Sequence, residues 1–298
     1  MVEPQFHQLV INSIEPETEY AIKVGLVVPD GARDLFEFKP GQYLTIQCLV
    51  SGESVRRSYS IFSGVNDPAL QIAIKRVPDG VFSNFANDDL KVGDIVESMP
   101  PQGTFCADLN SSNQKNYLFI AAGSGITPVA SNIKSILEEE PQSRITLLFG
   151  NQRTNTIMFK ETLSFLKNRY LNRLQWINIL SREDQGADVL NGRLDNQKGA
   201  ELSQQLVDLR SFDEYFVCGP ESMISEISRG LRSVDVSEEK IHFELFGASA
   251  EDAQQVIQKH HARALEFGGK SSVVTIVMDG RSISLQLAAD GENLLDAG

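Results

Sequence analysis

The stretch Tyr117-Leu118-Phe119-Ile120-Ala121-Ala122-Gly123-Ser124-Gly125-Ile126-Thr127-Pro128-Val129-Ala130-Ser131 reads as a strand, a turn and the start of a helix. Leu118 to Ala122 form a short apolar run closed by glycine, the pattern of a strand buried on both faces of a parallel sheet. Gly123 and Gly125 are expected to take backbone angles closed to other residues and to let a ligand approach the main chain. Pro128 has the fixed φ of a first helical turn, and Val129, Ile133, Ile136 and Leu137 continue the helix. Its free N–H groups and positive dipole end would face the edge of an open α/β sheet, where nucleotides bind. A phosphate-bearing cofactor is the expected guest. Glycine after a strand is also a packing device in many α/β proteins, so the neighbouring motifs decide between the two.

Downstream, strands and helices alternate in the manner of a doubly wound sheet. Residues 144–149, 174–180 and 215–218 read as strands, and 159–167, 202–209 and 221–231 as helices, with Trp176 in the core. Arg153 and Arg182 each follow a strand end, and Arg193 follows a loop. Cations at the carboxyl edge of such a sheet can meet a phosphate. Cys218-Gly219-Pro220 ends another strand, with Met223 opening the next helix, and residues 242–246 read as a last strand.

Upstream, residues 6–105 are short runs broken by Pro-Asp-Gly and Pro-Gly turns, which predicts an antiparallel barrel. Strands are expected at 20–28, 43–50, 57–62, 70–76 and 94–98, with a short helix at 82–87. In Arg57-Ser58-Tyr59-Ser60 the guanidinium and the phenol fall on one face of a strand. That pairing suits a phosphate and a planar heterocycle. Gly80-Val81-Phe82-Ser83 opens the short helix as a second anion site.

Composition bounds the rest. The 298 residues allow two domains, and a net charge of −13 with no basic patch argues against nucleic acid. No apolar stretch approaches membrane-spanning length and no export signal opens the chain, so a cytoplasmic protein without a membrane anchor is expected. Cys48, Cys106 and Cys218 are far apart and make neither a disulfide framework nor a metal site. The adjacent His260 and His261 lie in a polar stretch and read as solvated surface.

These motifs together resemble the ferredoxin-NADP reductase family. The resemblance implies an N-terminal FAD-binding β barrel (1–110), a doubly wound NADP-binding domain (111–247), a linker (248–270) and the start of a ferredoxin-like β-hairpin domain (271–298). It implies that Tyr59 stacks on the flavin, that Ser60 bonds near its N5, and that Arg57 holds phosphate. Lys75, Val77, Gly80, Val81 and Ser83 would line the rest of FAD. Gly123, Gly125, Thr127, Arg153, Ser181, Arg182 and Arg193 would hold NADPH, with the last arginines on the 2′-phosphate. Cys218, Gly219, Pro220 and Met223 would lie beside the nicotinamide, Glu244 would contact its ring, and Phe246 would guard the flavin face. Tyr59, Ser60, Cys218 and Glu244 are the catalytic group on this reading.

The implied activity is hydride transfer from NADPH to FAD, then single electrons to an oxygenase or ferredoxin-type acceptor, as in reductase components of multicomponent oxygenases. The alternative is a flavin-binding electron-transfer or regulatory subunit that does not oxidise nicotinamide. The intact glycine turn and Cys-Gly-Pro motif speak against it. In the tail, 273–278 and 282–287 alternate as hairpin strands and 291–298 begin a helix, but the cysteines that hold a plant-type [2Fe-2S] cluster in full-length relatives are absent after Cys218. No cluster is expected in this chain.

Overall fold

The computed structural model describes residues 5–245 and the backbone of 271–278 and 281–288. Alternation of apolar and polar residues carries the first third of the chain into an antiparallel sheet. Its strands are β1 (His7–Thr18), β2 (Ala21–Val27), β3 (Tyr43–Val50), β4 (Glu53–Ser60), β5 (Leu70–Lys75) and β6 (Ile95–Ser98). Their order is β4-β3-β6-β1-β2-β5. Past the end of β4, Ile61 bridges Ile72 of β5 and Phe62 N–H donates to Gln71 O at 2.7 Å. The outer strands therefore meet, and the sheet closes into a barrel. Leu9, Ile11, Val24, Leu44, Ile46, Ile72 and Val96 fill it, and the helix α1 (Val81–Asp88) adds Phe82 and Ala86.

β1 is a strand that the apolar pattern does not predict. Its register slips between Ile11 and Ser13 and again between Pro16 and Thr18, and these bulges break the two-residue alternation that marks a strand. The first bulge leans on β2 at Gly25, where a Cβ would meet Ser13 Oγ at 2.3 Å. β4 also begins earlier than expected, at Glu53, because a tight turn at Ser51-Gly52 with positive φ at both residues folds it straight back on β3.

The second sheet is parallel throughout: β7 (Asn116–Ala122), β8 (Arg144–Asn151), β9 (Leu174–Leu180), β10 (Glu214–Gly219) and β11 (Ile241–Leu245), in the order β11-β10-β7-β8-β9. The chain runs outward through β8 and β9 and returns to the other side of β7, so the order reverses between β7 and β10. That reversal is where an open α/β sheet leaves a crevice. Helices α2 (Ile126–Glu139), α3 (Lys160–Arg169), α4 (Asn196–Gln205) and α5 (Glu221–Ser233) cover both faces. β7 is buried on both, with Tyr117, Phe119 and Ala121 in one core and Leu118 and Ile120 in the other.

Two features of the parallel-sheet half depart from the sequence expectation. The helix read at 202–209 spans Asn196–Gln205, because Asp195 caps it by accepting the Lys198 N–H at 2.7 Å and so starts it earlier than its apolar residues indicate. Trp176 is only half-buried, packed at the margin of the core with its indole N–H unpartnered.

Barrel and parallel sheet share one apolar core. Phe62, Phe105 and Ala107 of the barrel side join Phe119, Val129, Ile133 and Phe216, and Phe62 stacks on Phe159 at 4.0 Å. The polar side chains of α2 lock this junction. Ser131 Oγ donates to Ser63 O at 2.5 Å and accepts the Gly41 N–H. Asn132 accepts from Ala107 N–H at 2.9 Å and donates to Phe105 O at 3.1 Å, while Ser135 Oγ accepts from Val65 N–H at 3.0 Å. Gly41, at φ +92°, admits no side chain because a Cβ there would sit 2.0 Å from Phe105 O. The connection between the two parts is pinned by Glu140, a fully buried carboxylate that accepts from Asn110 N–H, Asn113, Tyr117 and Ser143.

The chain divides into two compact units, residues 1–246 and 247–298. The second contains an antiparallel pair, β12 (Ser271–Met278) and β13 (Arg281–Ala288), in register from Ser271↔Ala288 to Met278↔Arg281. The alternation in 273–287 predicts this pair. Phe246, the linker 248–270, the helix start at 291–298 and the side chains of the pair lie outside the described residues.

Candidate functional site

The β7–β10 reversal brings the sequence motifs together. Gly123 takes φ +55°, the left-handed region that glycine favours, and an added Cβ would meet only Lys75 Nζ at 3.8 Å. The space beside it is open, so a ligand can reach the main chain there. Gly125 is different from expectation: its angles, φ −60° and ψ −11°, are ordinary helical ones. It is required for close approach, since a Cβ would sit 2.3 Å from Cys218 O and 2.9 Å from Gly219 N. The missing side chain lets the start of α2 press against the end of β10. Thr127 is buried and its hydroxyl donates to Ser124 O at 2.9 Å, which holds the turn closed. Gly219 is enclosed by Met223 and Ala122, and Pro220 precedes the first turn of α5.

Across the crevice stands the inner edge of the barrel. Register sets Tyr59 opposite Leu44 and Arg57 opposite Ile46, so both point to the face those core residues occupy. Tyr59 is half-buried against Phe82, ring centroids 5.4 Å apart, and burial holds its phenol well above the usual range. Arg57 is exposed, and among the described residues no carboxylate lies within ion-pair distance of it. At the next corner Ser83 Oγ accepts from Val77 N–H at 3.1 Å and donates to Gly80 O at 3.3 Å. The hydroxyl is thus committed to the turn, while the first N–H groups of α1 have no intrahelical partner. Val77 and Val81, at 54% and 53% exposure, leave an open apolar surface beside them.

Where the two halves face each other, Ser60 Oγ donates to Glu244 Oε1 at 3.4 Å. Glu244 lies opposite Cys218 in the β10–β11 register. Burial pushes its carboxyl up to about 7, and the Ser60 bond only partly offsets this. Cys218 is fully buried, and burial first, then Glu244, hold its thiol well above the usual value. A thiol so disposed stays protonated and packs as an apolar group. Tyr43 and Cys106 also feel Glu244, the latter pushed up to about 11 chiefly by burial. Sequence reading did not identify these two. Tyr43 closes the Pro40-Gly41-Gln42-Tyr43 stretch ahead of the flavin motif and Cys106 follows the Pro100–Phe105 turn, but only the fold sets them beside β11.

The arginines form a separate group at the ends of β8 and β9. Past both strands two main-chain bonds still join the chains, Ser181 N–H to Asn151 O and Arg182 N–H to Gln152 O, each 2.9 Å. The bond from Arg182 N–H to Gln152 O and those from Thr154 to the Glu183 carboxylate hold the loop that carries Arg153 against the loop that carries Arg182. Arg153, Arg182 and Arg193 are exposed, and among the described residues none has an ion-pair partner. Like charges on adjoining loops repel. An anion between them would remove that cost.

These features fit FAD and a nicotinamide dinucleotide: cations without carboxylate partners, two helix starts with free N–H groups, and one glycine whose missing side chain leaves room for a ligand. Among the described residues no helix is long and apolar enough to cross a membrane, and no group of three or more His, Cys, Asp or Glu could hold a metal.

Comparison with known proteins agrees. The oxidoreductase FAD-binding domain family matches residues 22–106 and the oxidoreductase NAD-binding domain family residues 119–229. The chain is 35% identical over 292 residues to a subunit of 1,2-phenylacetyl-CoA epoxidase from Escherichia coli K12, covering 98% of this chain and 80% of that protein. It is 29% identical to the ferredoxin reductase component of 3-ketosteroid-9-alpha-monooxygenase from Rhodococcus rhodochrous, over 82% of this chain and 66% of that one. Among solved structures, the flavohem-like FAD/NAD-binding domain of Vibrio cholerae nitric oxide dioxygenase superposes with a TM-score of 0.69 at 23% identity, over 81% of this chain and 98% of that one. A ferredoxin NADP+ reductase from Neisseria gonorrhoeae gives 0.68 at 18% identity, over 82% and 99%. At these identities the structures establish the fold, and the sequence relatives establish the kinship. The chain belongs to the ferredoxin reductase family of FAD- and NAD-binding oxidoreductases.

Proposed function

We propose that this protein is the NADPH-oxidising reductase component of a multicomponent oxygenase of the phenylacetyl-CoA epoxidase type, passing electrons through FAD to an iron-sulfur acceptor in the cytoplasm. The observation that carries the proposal is the convergence of Arg57-Ser58-Tyr59-Ser60, Gly123–Thr127, Cys218–Pro220 and Glu244 on one crevice, in a chain 35% identical to a component of that enzyme. Bound FAD would supply the two-electron to one-electron conversion, and the protein supplies position and electrostatics.

On this reading Arg57 and the start of α1, at Gly80 to Ser83, hold the flavin phosphates, with Lys75, Val77 and Val81 beside them. Tyr59 offers its ring to the flavin, pre-set by its contact with Phe82. Ser60 and Glu244 are already hydrogen-bonded across the crevice, so they hold a proton near neutral pH at the point where the nicotinamide and the flavin would meet. Cys218 packs against that point as a neutral group. Gly123, Gly125 and Thr127 shape the turn under the NADPH phosphates, Gly219, Pro220 and Met223 bound the nicotinamide end, and Ser181 with Arg153, Arg182 and Arg193 faces the 2′-phosphate. Phe246 follows β11 and is assigned to the flavin face.

Anaerobic addition of NADPH to the FAD-loaded protein is expected to bleach the flavin absorbance. An unchanged spectrum with flavin bound would instead favour a flavin-binding subunit that leaves nicotinamide alone. Cofactor choice is tested by Arg182→Ala. Losing one charge-assisted pair costs about 1.5–3 kcal/mol, so the Michaelis constant for NADPH should rise about tenfold or more with that for NADH little changed. Equal losses with both cofactors would make Arg182 a structural residue.

A further inference from the structure

Next to Arg153 and Arg182 in the chain, Thr154 and Glu183 join the two loops through a side chain. Glu183 accepts from Thr154 N–H at 2.8 Å and from Thr154 Oγ1 at 2.6 Å. Thr154 also starts a single 3-10 turn (Thr154–Thr156), in which Thr156 Oγ1 accepts from Arg153 N–H at 3.1 Å and donates to Arg153 O at 2.7 Å. Both loops would otherwise part here, since the last main-chain bond of the ladder is Arg182 N–H to Gln152 O. Glu183 thus closes the loop carrying Arg153 onto the loop carrying Arg182. The bonds to Thr154 hold its carboxyl below the usual range, with smaller contributions from Arg153 and Lys160. No carboxylate pairs with Arg153 within ion-pair distance among the described residues, so the acid grips the loop rather than its cation.

We propose that Glu183 is a positioning residue for cofactor choice: by gripping Thr154 it holds Arg153 and Arg182 side by side as a two-pronged receptor for a phosphate on the adenine ribose. The proposal rests on the NADPH reading given above and adds the device that enforces it. It accounts for an acid beside an anion site. A negative charge there opposes phosphate binding, and two ungripped arginines would separate by repulsion before a ligand arrived. Holding them in place lowers the ordering cost of binding.

Calorimetric titration of the purified protein with adenosine 2′,5′-bisphosphate and with AMP separates position from charge, and needs no turnover. Glu183→Ala is expected to weaken the bisphosphate about tenfold, or about 1.4 kcal/mol, with AMP altered by less than about twofold. Glu183→Gln keeps an acceptor for the Thr154 N–H and a donor for its hydroxyl while removing the charge, and it should retain the preference. Thr154→Val, which loses only the hydroxyl, should fall between Glu183→Ala and the natural chain. Thermal unfolding checks that each variant folds; if Glu183→Ala does not, Thr154→Val and Glu183→Gln are read by the same criteria. Undiminished preference in Glu183→Ala overturns the proposal and leaves the NADPH reading intact, as does equal weakening of both ligands. Loss of preference in Glu183→Gln overturns it too, because charge would then be the cause. A natural chain that binds both ligands alike removes the NADPH reading and this proposal with it.

Discussion

Gly125→Ala is expected to cost about 3 kcal/mol or more, the upper range for forcing atoms into a packed interior. The added methyl would lie 2.3 Å from Cys218 O and 2.6 Å from Cys218 C, both backbone atoms of a central strand that cannot swing aside. Relief requires α2 to move, and α2 carries the contacts of Ser131, Asn132 and Ser135 to the barrel. The flavin-to-nicotinamide geometry should therefore fail with the fold. Gly123→Ala is the control. Its Cβ meets open space, so the expected loss is only the left-handed backbone cost of about 1–2 kcal/mol. Urea unfolding of both variants checks the ranking; similar losses at the two glycines would refute the close-approach account.

The second large effect is one of pH. Glu244 has its carboxyl raised from 4.5 to about 7, mainly by burial. Between those values the native protein binds a proton that the unfolded chain has released, so stability falls as pH rises through this window. Above it the full difference, about 3 kcal/mol at 1.36 kcal/mol per unit, weighs against the native state. Glu244→Gln keeps an acceptor for Ser60 and has no charge to desolvate. The variant should match the natural chain near pH ~4.5 and exceed it by up to about 3 kcal/mol near pH ~8, measured by urea unfolding across that range. Parallel pH profiles for the two chains would show that Glu244 does not titrate there. Hydride transfer should suffer in the same variant. The group that destabilises the fold is the one the proposed chemistry needs.

Much of the fold was legible because its signals are local. The apolar run of β7, the turn at Gly123 and the helix with Val129, Ile133 and Ile136 in its core are each set by neighbours within one or two turns of chain. The same holds for Arg57 and Tyr59, whose shared face follows from strand geometry alone. β1 was not legible, since its bulges shift the alternation out of step. The start of α4 was obscured for another reason, a capping aspartate ahead of the apolar residues.

What the sequence alone determined is therefore a set of parts: a barrel, a doubly wound sheet, two glycine turns that can meet phosphate, and cations that follow strand ends. Tertiary structure decided how they meet. Gly125 is glycine because of Cys218, which lies far along the chain on a strand that only sheet order brings alongside. Glu244 gains its raised pKa from burial at a junction of two folding layers, and no local pattern encodes that burial. Arg153 and Arg182 lie on loops far apart in sequence, which β8–β9 pairing and the Thr154–Glu183 bond bring together. Desolvation and close approach depend on atoms distant in sequence, so they first exist when the chain has folded.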